Sequence, residues 1–181
     1  MKKALIFIWE ITKIVVISLA IIIPIRYYLV QPFFVRGASM NPSFDSGQYL
    51  VVNEISYRFE KPDRGEVIVF KYPVDPSQYY IKRIIGLPGE VIEIKDGYVT
   101  IYNQEFPEGN VLDESIYLPK ERITIGQTYL KLNEDEYFVL GDNRQASSDS
   151  RQWGSLPEDN IIGRVWFRAW PFNTAKYFNY D

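Results

Sequence analysis

Histidine and cysteine are both absent from the 181 residues. The first absence excludes a Ser-His-Asp triad, because no imidazole is present to take a proton from a hydroxyl. The second excludes a thiol nucleophile, a disulfide framework and thiolate ligation of a metal. Together they leave only carboxylates for a zinc centre, which normally takes nitrogen and sulfur ligands. No metal and no organic cofactor is expected. A basic surplus is missing too. The chain has 20 Lys and Arg against 23 Asp and Glu, a net charge of −3. Nucleic-acid binding leaves a basic footprint, so nucleic acid is not an expected partner. No internal repeat or low-complexity tract is evident.

One long apolar run is present, ALIFIWEITKIVVISLAIIIPI at residues 4–25. At about 1.5 Å per residue it reaches roughly 33 Å, enough for a hydrocarbon core of about 30 Å. Glu10 and Lys13 interrupt it three residues apart, so they share a helical face and can pair or reach the near interface. Lys2, Lys3 and the terminal amine favour a cytoplasmic N-terminus; Arg26 argues weakly the other way. A cleaved signal peptide is the competing reading. Pro24, Arg26, Tyr27 and Tyr28 fit a small-residue cleavage site poorly. The expected organisation is an anchor over residues 1–26 and an extracytoplasmic domain over 27–181, large enough for one globular core.

Beyond the anchor the pattern is β. VQPFFVR at 30–36 reads as a core strand or as a lipid-facing stretch. Phe33 and Phe34 cannot both face one side of a strand. Strands are expected over 48–57, 66–72, 79–87, 91–94, 98–102, 137–140 and 161–170. Asp96-Gly97 marks a hairpin. Residues 103–125 read as an acidic, proline-containing insertion. Residues 141–154, GDNRQASSDSRQWG, read as a polar loop. The class is mainly β, antiparallel, with one N-terminal transmembrane helix.

Two residues stand out chemically. Ser39, in GASMNPSF, follows the anchor closely. A serine hydroxyl needs a base, and a lysine is the leading candidate. Lys82 lies in an apolar strand, where desolvation disfavours the ammonium form and lowers the pKa. The bland alternative is a lysine snorkelling from a sheet edge. In the polar loop, Asp149 and Arg151 can form a charge-assisted pair, and Ser147 can hydrogen-bond a neutral amine. An ordinary surface turn would use the same residue types.

Four stretches together resemble the bacterial type I signal peptidases, membrane-bound Ser-Lys endopeptidases that remove signal peptides from exported preproteins. They are GASMNPSF (37–44), GQYLVVNEISY (47–57), residues 64–90 with RGEVIVFKYP and YYIKRIIGLPGE, and GDNRQASSDSRQWG (141–154). The resemblance implies a mostly antiparallel, coiled and barrel-like β domain, in the compact form found in Gram-positive bacteria. It implies Ser39 as nucleophile, Lys82 as general base and Ser147 as the group that orients the lysine. Asp149 and Arg151 match its supporting ion pair. Val35 and Ile81 match positions shaping the substrate pockets, and Met40 a position near the dyad expected to line the cleft. Asp142, Asn143 and Arg144 match a structural motif. The implied specificity is for small side chains one and three residues before the cut. The implied partners are preprotein signal peptides and membrane lipid, with no obligatory protein partner. One departure concerns the oxyanion site. Some members carry a serine two residues before the nucleophile, where this chain has Gly37; a lost oxyanion donor can cost about 2.7–4 kcal/mol. A tethered assembly module without turnover and a self-cleaving Ser-Lys protease are the alternative functions.

Overall fold

The structure is a computed structural model and describes residues 2–28, 30–119 and 123–180. Residues 120–122 of the expected insertion lie outside the described residues. The chain opens with α1, Lys2–Tyr28. Within it Ile6–Ile23 has a mean hydropathy of 2.4, and none of that stretch is buried against the protein. A helix apolar on all sides and covered by nothing suits lipid. Glu10 accepts a 2.8 Å hydrogen bond from Lys13 Nζ, as the spacing predicts.

The remainder forms two antiparallel sheets. The larger contains β1 (Val30–Phe34), β2 (Tyr49–Asn53), β3 (Val67–Lys71), β4 (Tyr79–Gly86), β9 (Glu136–Leu140), β10 (Leu156–Pro157), β11 (Ile161–Trp170) and β12 (Lys176–Tyr177). Its order is β1-β2-β11-β3-β4-β9-β10, with β12 on β11. The smaller contains β5 (Val91–Lys95), β6 (Tyr98–Tyr102), β7 (Asn110–Val111) and β8 (Thr128–Lys131), in the order β7-β6-β5-β8.

The apolar runs explain the layering. β3 reads Val-Ile-Val-Phe, all buried. Val67 and Val69 face one cluster with Met40, Phe44, Leu50 and Val52, while Ile68 and Phe70 face another with Ile84, Tyr137 and Val139. A strand covered on both faces loses the alternation expected of a half-buried one. β9 divides likewise: Tyr137 and Val139 face that second cluster, Phe138 and Leu140 a third shared with β5 and β6. Each fully buried side chain of this kind contributes about 1.5–3 kcal/mol.

The hairpin at Asp96-Gly97 forms, with φ of 52° and 90° at its two central residues, as a type I′ turn requires. The strand expected over 48–57 stops at Asn53. Its Oδ1 accepts from Ile55 N (3.0 Å) and Ser56 N (3.1 Å), turning the chain into a short helical turn, Ser56–Arg58. The insertion contributes β7, and β8 follows it at 128–131, where no strand was expected. Phe33 packs against the core and Phe34 points outward, 46% exposed.

Candidate active site

Three segments of the larger sheet meet around Ser39. The turn after β1 carries the serine, β4 carries Lys82, and the loop from β9 to α2 (Ser150–Trp153) encloses both. The turn is tight: Phe44 N donates to Met40 O at 2.8 Å. Gly37 enters it at φ +89°, a left-handed conformation that L side chains rarely adopt. Glycine at this position therefore serves the backbone path.

Lys82 is 3% exposed. Its Nζ lies 2.9 Å from Ser39 Oγ and donates to Ile81 O at 2.8 Å. The Tyr80 ring lies 5.2 Å from it. Burial pushes the ammonium pKa down to about 8, against the opposing pull of the Asp149 and Asp142 charges. Those charges are tied up by arginines. Asp142 accepts from Arg83 Nε (2.9 Å) and Nη2 (2.6 Å); Asp149 accepts from Arg151 Nε and Nη2, both at 2.8 Å. Snorkelling to solvent is thus not what Lys82 does.

The 141–154 loop grips the serine turn directly. Asn143 N donates to Ser39 O (2.9 Å) and its Nδ2 to Ala38 O (3.1 Å). Asp149 accepts from Gly141 N at 3.1 Å and caps α2. Gly141 has no room for a side chain: a Cβ there would lie 2.5 Å from Ser39 O and 2.6 Å from Ser147 Cβ. Close backbone approach requires glycine at that point. Arg144, buried, donates to Gly141 O (3.1 Å), to Thr124 Oγ1 and to both carboxylate oxygens of Glu114. Arg151 Nη1 donates to Ile125 O at 2.9 Å. The 103–125 segment is therefore strapped to the loop beside the serine. Sequence reasoning missed this role; the signal was a pair of arginines in a short loop and a segment in which acidic residues outnumber Lys120 and Arg122.

A cleft of about 540 Å³ opens beside Ser39 and Lys82, lined among others by Phe33, Val35, Ile81 and Ala146. Val35 and Ile81, matched by resemblance to pocket-shaping positions, both border this cleft. Met40 does not: it is 1% exposed and belongs to the core cluster with Phe44 and Leu50. In the turn the serine faces the cleft and the next residue faces inward. Ser147 is brought to the site but differs in detail from the expectation. Its buried Oγ has no hydrogen-bond partner among the described residues, and the hydrogen bonds of Lys82 Nζ go to Ser39 and Ile81. No group of three potential metal-ligating side chains occurs among the described residues.

The chain is similar to known proteins along most of its length. The family model described as "Signal peptidase, peptidase S26" matches residues 8–170. "Probable signal peptidase I-1" of Synechocystis is 36% identical over 173 residues, covering 91% of this chain and 84% of that protein. "Signal peptidase IB" of Staphylococcus aureus is 31% identical over 188 residues, covering 98% and 95%. The crystal structure of a signal peptidase I from Enterococcus faecalis V583 is 31% identical, with a TM-score of 0.48, and covers 59% of this chain and 97% of that one. A serine set against a buried lysine, in a chain matched along nearly its whole length, belongs to the signal peptidase family, peptidase S26, among the bacterial type I serine peptidases.

Proposed function

We propose that the chain is a membrane-bound endopeptidase that removes signal peptides from exported preproteins with Ser39 and Lys82 as its reacting pair. The 2.9 Å approach of Lys82 Nζ to Ser39 Oγ, inside a desolvated pocket, carries the reading. Neutral Lys82 takes the hydroxyl proton as Ser39 Oγ attacks the scissile carbonyl. The leaving amine is the N-terminus of the mature protein. Lys82 then activates water to release the acyl group. The Ser39 backbone N–H serves as an oxyanion donor in this scheme, and Gly37 brings no side-chain donor. Asp149 with Arg151 fixes the loop, and Ser147 fills the space beside Gly141 as a positioning group. Alternate residues of the substrate before the cut enter the cleft by Val35 and Ile81, which leave room for small side chains.

Residues 1–26 serve as the anchor, with residues 27–181 outside the cytoplasm. Phe34, Tyr49 and Trp170 lie abreast across β1, β2 and β11, and Phe172 packs on Trp170 at 4.7 Å. This exposed aromatic row, with Phe172 78% exposed, suits the lipid interface. The test is cleavage of a labelled preprotein by the purified full chain and by Ser39→Ala, Lys82→Ala and Lys82→Arg. All three variants should lose turnover while keeping the wild-type melting profile, because arginine cannot act as a neutral base. Near-normal turnover by Lys82→Ala would remove the dyad. Cleavage confined to the enzyme's own chain would indicate a self-processing protease.

A further inference from the structure

A second cavity, of about 590 Å³, opens on the same face of the larger sheet. The paired residues Val69 and Ile81 line the first cleft; the next pair on that face, Val67 and Arg83, lines the second cavity. That step is two residues, or about 7 Å. The serine turn forms a saddle between them. Ala38 and Ser39 border the first, Ser43 and Phe44 the second.

The second cavity is cationic. Arg64, Arg83, Arg168 and Lys176 border it, and no Asp or Glu among the described residues does. Arg83 and Arg64 are already paired from behind, with Asp142 and with Glu90. Among the described residues Arg168 donates to neutral oxygens, at Thr174 O (2.9 Å), Ser43 O (3.1 Å) and Gln48 Oε1 (3.3 Å). Neither Arg168 nor Lys176 has a carboxylate within ion-pair distance among the described residues. Tyr117 and Phe178 supply apolar walls. Two cations facing a cavity with no counter-charge among the described residues make a site for a carboxylate carried by something else.

We propose that this cavity receives the preprotein on the far side of the cut and selects an acidic side chain there. A polypeptide seated in the first cleft up to its scissile carbonyl continues over Ser39 onto the saddle. An extended chain advances about 3.3 Å per residue. Residues two to four beyond the cut therefore reach Arg168 and Lys176. The inference rests on Ser39 as the nucleophile.

The test uses the full chain in detergent micelles and peptides that differ only at positions two to four after the cut, carrying Glu, Gln or Lys. At low salt the Glu peptides should exceed the Lys peptides in kcat/KM by roughly threefold to tenfold, mainly through KM. The advantage should shrink with ionic strength. Lys176→Glu should reverse the preference, Lys176→Arg should keep it, and Arg168→Gln with Lys176→Gln should abolish it. The exposed Lys176 makes its variants safe for folding. Equal cleavage of Glu and Lys peptides by the wild type would overturn the proposal, as would an unchanged preference in Lys176→Glu. If Lys176→Glu alters only binding to anionic vesicles, the cavity is a lipid site and the proposal fails. Failure to cleave any peptide would instead strike the serine peptidase assignment.

Discussion

In the proposed mechanism Lys82 has to be neutral, and the fold holds it near the point of change. With its pKa at about 8, a protonated lysine predominates below that value and cannot accept the serine proton. kcat/KM should therefore rise with pH and level off above about 8. Asp149 stabilises the ammonium, so Asp149→Asn should move this limb to lower pH while slowing the plateau, because Arg151 loses its charged partner. A pH–rate profile of both proteins checks the shift; an unmoved limb would refute the electrostatic coupling. Two neighbours of the pair have sharper roles than their residue types suggest. Asn143→Ala keeps the backbone bond to Ser39 O but loses the one to Ala38 O. A loss of about 0.5–1.5 kcal/mol, or up to roughly tenfold in kcat, is expected in single-turnover assays. Gly141→Ala should cost about 1–3 kcal/mol in denaturant unfolding and most of the activity, since its Cβ would collide with the serine turn.

At the scale of elements, the 103–125 segment is the testable surprise. Glu114 is the carboxylate that answers Arg144, whose side chain is fully buried. Removing it strands a buried cation, so Glu114→Ala should cost about 3–5 kcal/mol, while Glu114→Gln keeps part of the hydrogen bonding. Denaturant midpoints of the two variants check this, and equal midpoints would refute the strap. Legibility from the chain divides by the range of the interaction. β4, the β5–β6 hairpin and β11 declare themselves through apolar runs and a turn dipeptide, because strand and turn preferences are local. Ser39 and Lys82 were identifiable through motif context even though 43 residues separate them. The inward turn of Met40, the partnerless Ser147 and the grip of Arg144 on Glu114 depend on contacts between distant segments, which periodicity does not encode. β8 escaped notice because its burial pattern, half-buried alternating with exposed, lacks a clear apolar face.

For the molecule as a whole, the division of labour between helix and sheets predicts separable functions. Deleting residues 2–26 should leave cleavage of short peptides nearly intact, because none of the described residues lining the cleft belongs to α1. Efficiency on membrane-held preproteins should fall, since the search is no longer confined to a surface. Residual vesicle binding should fall further when Trp170 and Phe172 are both changed to serine. Flotation with liposomes measures the latter; undiminished binding would assign the aromatic row to some other use.

The join between anchor and catalytic body is very short: α1 ends at Tyr28 and β1 begins at Val30. Such a join acts as a ruler. With α1 in a bilayer and Ser39 as nucleophile, as proposed, it would fix the height of Ser39 above the membrane, and with it the permitted distance between a substrate's own membrane segment and the bond that is cut. Inserting a flexible Gly-Ser spacer after Tyr28 should blur that gauge, so that preproteins with cut sites displaced from the normal depth become substrates while cleavage of a soluble peptide stays unchanged.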